Sequence, residues 1–309
     1  MNSGTQGFTP AYLRLLQNGA LAERAHRALQ LQENCTLCPR RCGVNRLRTT
    51  DGAACRTGEN ARVCSYGPHH GEERPLSGWT GSGTIFFSDC NLHCVFCQNW
   101  EISQEGEGQE VDAKELAAIM LGLQDQGVHN INLVTPSHVI APILTALNLA
   151  AGEGLRLPLI YNSGGYDSLD TLALLDGVID IYMPDMKFAD SSTASAFLKV
   201  CDYAEVNQAA VREMHRQVGD LVLSAAGIAR QGLLVRHLVL PDNLAGTDNI
   251  LTFLAHEISS QTYLNLMDQY RPCYLSGDFP PLNRRLTRAE WRAALQAAKK
   301  SGLRRLDRT

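Results

Sequence analysis

A parallel α/β fold is predicted by three features of this sequence. Six short apolar runs of strand type recur along it, helical stretches lie between them, and small or polar residues follow several of the runs. Residues 84–88 (TIFFS) are the first run. Residues 112–126 follow as a helix, with Asp112 at the N-cap and Glu115 three positions on. Residues 130–135 (NINLVT) form the second strand and 137–151 its helix. The third strand covers 157–162, with a short helix over 168–175. Residues 179–184 (IDIYMP) are the fourth strand, and an insertion over 191–218 reads as two helices. Residues 233–241 (LLVRHLVLP) and a helix over 248–259 make the fifth unit. Residues 263–267 (YLNLM) and a helix over 287–300 make the sixth, with a Thr287/Glu290 capping box and Gly302 past its end.

Periodicity alone leaves two arrangements open, a wound open sheet and a partial barrel. In both, ligands gather at the C-terminal ends of the strands. Cys90, residues 135–138, residues 162–165, and the pair Asp185 and Lys187 all fall at such ends. Residues 1–80 differ in character: a helix over 10–30, then a Cys-, Arg- and Gly-rich stretch with little periodicity. The chain thus divides into an N-terminal cap (1–80) and a β/α region (81–309).

The net charge is −4 over 309 residues, with no basic excess of the kind that binds nucleic acid. No apolar run approaches the roughly 20 residues that cross a bilayer. The first 19 residues make a poor signal peptide, so a cytoplasmic protein is expected. Eight of the ten cysteines lie between Cys35 and Cys97. In a reducing compartment such clustering points to metal rather than disulfides. Cys201 and Cys273 stand apart and read as small buried apolar residues.

Cys90, Cys94 and Cys97 supply three soft donors from one loop. A closed zinc site needs four ligands, and a [4Fe–4S] cluster has four irons. The fourth position is therefore either filled from elsewhere or open to a ligand. Cys35, Cys38, Cys42 and Cys55 have the spacing of a zinc site or of a second iron–sulfur cluster. Arg40, Arg41, Arg46 and Arg48 form a local positive patch. His69, His70, Glu72 and Glu73 read as ligands or as a solvated surface group. Arg236 and His237 lie on opposite faces of one strand, so one of them points to the interior.

The stretch CNLHCVFC fits C-x3-C-x-aromatic-C, the signature of the radical S-adenosylmethionine (SAM) enzymes. With GSGTIFFSDCNLHCVFCQNWEIS, YNSGGY, DIYMPDMKF, VRHLVLPD and CTLCPRRCGVNR, the chain resembles their pyruvate formate-lyase-activating-enzyme-like (glycyl-radical-activase-like) group from about Cys35 onward. The resemblance implies a partial (β/α)6 barrel, a [4Fe–4S] cluster on Cys90, Cys94 and Cys97, and SAM bound to the open iron. The expected activity is that of a radical SAM oxidoreductase: reductive cleavage of SAM to methionine and a 5′-deoxyadenosyl radical that abstracts hydrogen, from a glycyl radical enzyme or another macromolecule. Flavodoxin or ferredoxin is the expected electron donor. Phe96 would pack on the adenine. Asn162, Ser163, Asp185, Lys187 and Arg236 would line the SAM site. The family's Gly-Gly-Glu after the second strand is missing; residues 134–138 read Val-Thr-Pro-Ser-His, with Thr135 the candidate replacement and His138 either near the cluster or a cap. A large substrate is expected, because no long C-terminal segment closes the barrel mouth. The alternative is a non-catalytic zinc- or iron–sulfur-binding redox scaffold.

Overall fold

The computed structural model describes residues 8–307. Residues 1–7, the start of the stretch read as a poor signal peptide, lie outside the described residues. Its strands are β1 (Ala61–His69), β2 (Ser82–Phe87), β3 (Gln109–Val111), β4 (Ile131–Val134), β5 (Leu159–Ser163), β6 (Ile181–Pro184), β7 (Val222–Leu223), β8 (Ala229–Leu238), β9 (Tyr263–Met267) and β10 (Arg305–Leu306). They form one open, mixed ten-stranded sheet in the order β10-β9-β8-β6-β5-β4-β2-β1-β3, with β7 against β8. From β2 through β10 this path is parallel. β1 and β3 extend it antiparallel beyond β2.

The parallel strands follow one another in chain order, with no reversal. Right-handed crossovers then place successive helices on the same face. The packing agrees: Leu133, Leu159, Tyr161, Tyr182 and Val235 are buried with Met120, Leu144 and Leu147 of the helices Ala113–Asp125 and Ile140–Gly152. Strand alternation sends Ile160, Ile181, Met183 and Leu234 to the other face, where Leu76 covers them.

All six predicted strand runs are present, the sixth at its predicted bounds and the other five with shifted ends. The helix Ala113–Asp125 starts at the predicted capping box: Asp112 accepts from the Lys114 and Glu115 amides at 2.8 Å each, and the Asp112 amide donates to Glu115 at 2.8 Å. Asp112→Ala should lower the unfolding free energy by about 1 kcal/mol in denaturant titrations.

The cap region departs from expectation. The helix expected over 10–30 is two helices, Tyr12–Gln17 and Ala20–Glu33, because Gly19 adopts φ +80°. The stretch read as lacking periodicity contains β1, which is bonded into the main sheet. Gly67 and Pro68 hide its alternation. The fifth strand begins at Ala229, four residues early, and the helix expected over 248–259 ends as a π turn, Leu254–Ile258. Among the described residues no helix is long and apolar enough to cross a membrane.

Candidate functional site

The loop after β2 is held largely by its own backbone and by asparagine and arginine side chains. The His93 and Val95 amides donate to the Leu198 and Phe197 carbonyls (3.2 and 2.9 Å), and the Leu275 amide donates to the Val95 carbonyl (3.0 Å). Asn91 Nδ2 donates to the Tyr166 carbonyl (2.7 Å), and Arg40 Nε to the Asn91 carbonyl (2.8 Å). Leu92, Val95 and Phe96 are buried, Cys94 is buried among them, and Cys90 and Cys97 are half-buried.

The thiols form an electrostatic set. Burial pushes Cys90 up to about 12, with Cys97 adding to the rise and the Leu92 amide and Lys187 opposing it. Burial raises Cys94 as well, opposed by Lys187 and reinforced by Cys97 and Cys90. Buried thiols of this kind are inert unless a cation stabilises the thiolate. Among the described residues, no group of three or more His, Cys, Asp or Glu side chains is arranged to hold a single metal ion. Phe96 is enclosed by protein, edge-to-face with Phe188 (6.0 Å) and Tyr270 (6.3 Å).

Four predicted site residues from three strand ends meet in one network. Asp185 is bonded to Lys187 Nζ at 2.6 Å and to Arg236 Nε at 3.0 Å; Arg236 Nη2 donates to Asn162 Oδ1 at 2.7 Å. Burial acts to raise the Asp185 pKa, but Lys187 and Arg236 outweigh it and the carboxyl lies below its ordinary range. Lys187 is also close enough to Cys94 to lower its pKa, so this network borders the cysteine loop.

The helix Tyr203–Val218 fastens the loops that carry these groups. Asn207 Nδ2 donates to the Gly165 and Asp185 carbonyls (2.9 Å each), and the Tyr203 hydroxyl accepts the Lys187 amide (3.0 Å). Gly165 has no substitute here. Its φ is +74°, and a Cβ would stand 2.2 Å from both the Asp185 carbonyl oxygen and Asn207 Nδ2.

Other predicted residues are used differently. Ser163 donates to buried Asp167 (2.7 Å), which also accepts from Ser137 (2.6 Å) and Tyr161 (2.7 Å). Thr135 lies beside Asn162, its amide on the Asn162 carbonyl (2.8 Å), with φ +62°. That is an uncommon conformation for a β-branched residue, and such strain concentrates at functional sites. His138 donates from Nε2 to the Ser88 carbonyl (2.9 Å), and its own carbonyl accepts from Arg46 (2.7 Å). His237 points away from Arg236, bonded to the Met186 carbonyl (2.6 Å) and Thr247 (2.9 Å).

Burial lowers His138 to about 3 and His237 to about 4, so both fold neutral. Their folded pKa values lie below the unfolded value of about 6.5. Stability is therefore full above pH 6.5 and falls as the pH drops and the unfolded chain takes up protons. Each should remove about 2 kcal/mol between pH 7.5 and pH 5. Chemical denaturation at the two pH values checks this, and a flat profile would contradict it.

The N-terminal thiols also lie near one another. Burial pushes Cys38 up to about 12, with Cys55, Cys35 and Cys42 each adding. Cys42 Sγ accepts the Ala54 amide (3.4 Å). Cys55 adds to the rise of Cys90 as well, so the two thiol sets adjoin.

Several expectations are corrected. Arg46 is no part of a surface patch: it is buried on the Thr57, Gly58 and His138 carbonyls. Arg40 is spent on the cysteine loop. Cys201 is exposed, and half-buried Cys273 donates to the Phe96 and Cys97 carbonyls (3.3 Å each). Of the His69–Glu73 group, His70 is exposed, whereas Glu73 accepts from Asn265 (2.7 Å) and Glu72 lies 3.7 Å from Arg236 and 3.8 Å from His69. Glu72 thus borders the network, out of a group that the sequence left open between ligands and solvated surface; two adjacent glutamates before the first run were its signal. Asp89 was missed entirely. Buried next to Cys90 at φ +65°, it pairs with Arg56 (2.8 Å) and Arg62 (3.8 Å).

No family model matches the chain. It is 33% identical over 286 residues to the uncharacterized protein MJ0674 of Methanocaldococcus jannaschii, an alignment covering 89% of this chain and 77% of that protein. It is 24% identical over 270 residues to the uncharacterized protein MJ0808 of the same organism, covering 80% and 73%.

Proposed function

For a chain that belongs to the family of the uncharacterized protein MJ0674, we propose the activity of a radical SAM enzyme. The observation that carries this reading is the adjacency of three soft donors on a fixed loop to the Asn162–Asp185–Lys187–Arg236 network. We read the singly wound sheet as the partial barrel such enzymes use. The donor set suits an iron–sulfur cluster: three soft thiols on one loop within electrostatic reach of one another. When bound, the cluster would supply the electron that cleaves SAM to methionine and a 5′-deoxyadenosyl radical.

The chain's own residues have distinct tasks in this reading. Cys90, Cys94 and Cys97 hold the cluster. Lys187 and Arg236 present cations at the strand ends, suited to the methionine carboxylate, and Asp185 orients both. Asn162 and Thr135 offer polar groups beside them. Phe96 closes the base of the loop, and its packing against Phe188 and Tyr270 fixes the cysteines rather than leaving the ring free for a ligand. The N-terminal thiols adjoin the loop where a second cluster would relay electrons from a flavodoxin- or ferredoxin-type donor. A hydrogen donor on another macromolecule, such as a glycine of a partner protein, fits the same reading.

Anaerobic reconstitution with iron and sulfide, followed by dithionite and SAM, tests it. Equal amounts of 5′-deoxyadenosine and methionine are expected. Protein that carries zinc alone and leaves SAM intact would favour the redox-scaffold alternative.

A further inference from the structure

At the opposite end of the sheet lies a recess of about 720 Å³, lined by Phe8, Pro10 and Leu13 and by the loops that enter β2, β4, β5 and β8. That volume is typical of small-molecule sites. Trp79 stands in it 59% exposed, an uncommon state for so large an aromatic residue.

The charged groups on its wall are Arg156, Arg230 and Asp125. Arg156 uses Nη1 on the Ala151 and Leu155 carbonyls (3.1 and 2.6 Å) and forms no ion pair among the described residues. Arg230 lies over the Phe8 ring at 5.7 Å. Cations therefore outnumber the carboxylate.

His129 adds a directed donor. Its ring meets Trp79 edge-on at 4.4 Å, and Nε2 accepts the Trp79 and Thr80 amides (3.3 and 3.4 Å). The ring hydrogen is therefore on Nδ1, which has no hydrogen-bond partner among the described residues. Gly78, at φ +48°, makes this approach possible: a Cβ there would stand 2.5 Å from His129 Nε2.

We propose that this recess binds a planar aromatic ligand bearing an anionic group, about the size of a mononucleotide. Trp79 supplies the stacking face, Arg156 and Arg230 the charge, and His129 Nδ1 a hydrogen bond. The site lies at the N-terminal ends of the strands, away from the cysteine loop, so it serves regulation rather than the reaction. It stands independently of the radical SAM reading.

The test titrates the full chain, with SAM saturating, against adenosine 5′-monophosphate, 1-naphthyl phosphate and uncharged adenosine, by calorimetry and tryptophan fluorescence. At least one phosphate should bind saturably and quench fluorescence, with adenosine at least tenfold weaker than its monophosphate. Arg156→Gln, or Arg230→Gln should the first variant unfold, should weaken the phosphates at least tenfold. Trp79→Phe, at an exposed position, should remove the quench. Binding of neither phosphate, or phosphate affinity within twofold of wild type in both arginine variants, would overturn the proposal.

Discussion

Replacing Cys90, Cys94 and Cys97 together by alanine is expected to remove one four-iron cluster per chain and to reduce 5′-deoxyadenosine formation to background. The physical basis is local. Burial holds Cys90 and Cys94 as protonated thiols unless a cation stabilises them. The sulfur contacts that alanine removes include the Leu92 amide on Cys90 Sγ (3.4 Å) and the Cys97 Sγ–Ser103 Oγ pair (3.0 Å). The loop itself is kept by the His93, Val95 and Leu275 amides and by Asn91 and Arg40, none of which the replacement touches. A folded protein with lower iron content is therefore expected rather than collapse. Iron analysis, circular dichroism and chromatography of the nucleoside product check this together. Unchanged iron with full activity would move the cluster to Cys35, Cys38, Cys42 and Cys55. Residual iron without activity agrees with a second cluster there.

Asp185→Asn should have the next largest effect. The carboxylate balances Lys187 and Arg236, whose side chains are 21% and 20% exposed. Neutralising it leaves two poorly solvated cations, with Glu73 and Glu72, the latter 3.7 Å from Arg236, as the nearby carboxylates. Breaking a buried pair from one side costs about 3–5 kcal/mol, and the lower end applies here because Asn keeps part of the hydrogen bonding. The folded pKa of Asp185 lies below its unfolded value of about 3.9. Its contribution is thus complete above that pH and is lost as the pH falls through the folded value. The variant should lack this acid-limb dependence, and KM for SAM should rise while iron content stays at the wild-type level. Equal stability at pH 7, with an unchanged acid limb, would show that the network carries no such energy.

Six parallel strands, their order of appearance and the capping boxes at Asp112 and Thr287 were legible because each depends on neighbours in the sequence. The alternation in NINLVT and IDIYMP and the box at Asp112 and Glu115 are local. What decides the site is not. Arg236 and His237 are equivalent in the sequence, and only the register that sets Arg236 opposite Asn265 and beside Asp185 tells their faces apart. Glu72 reaches Arg236 across 164 positions, so no window of the sequence contains the pair. Arg40 and Arg46 read as a charged patch because their partners are backbone carbonyls, which leave no mark on composition. β1 escaped because Gly67 and Pro68 interrupt it and β2 supplies much of its pairing. Gly165 could be read as a turn residue, but the close approach of Asp185 that requires it could not.

The central claim is that one iron at the Cys90–Cys97 loop is left for SAM. Electron paramagnetic resonance of the reduced, reconstituted protein, recorded with and without SAM, tests it most directly. Coordination of SAM to the cluster should shift the spectrum of the wild type, and the triple alanine variant should show no SAM-sensitive signal. A wild-type cluster spectrum that is identical with and without saturating SAM would contradict the account.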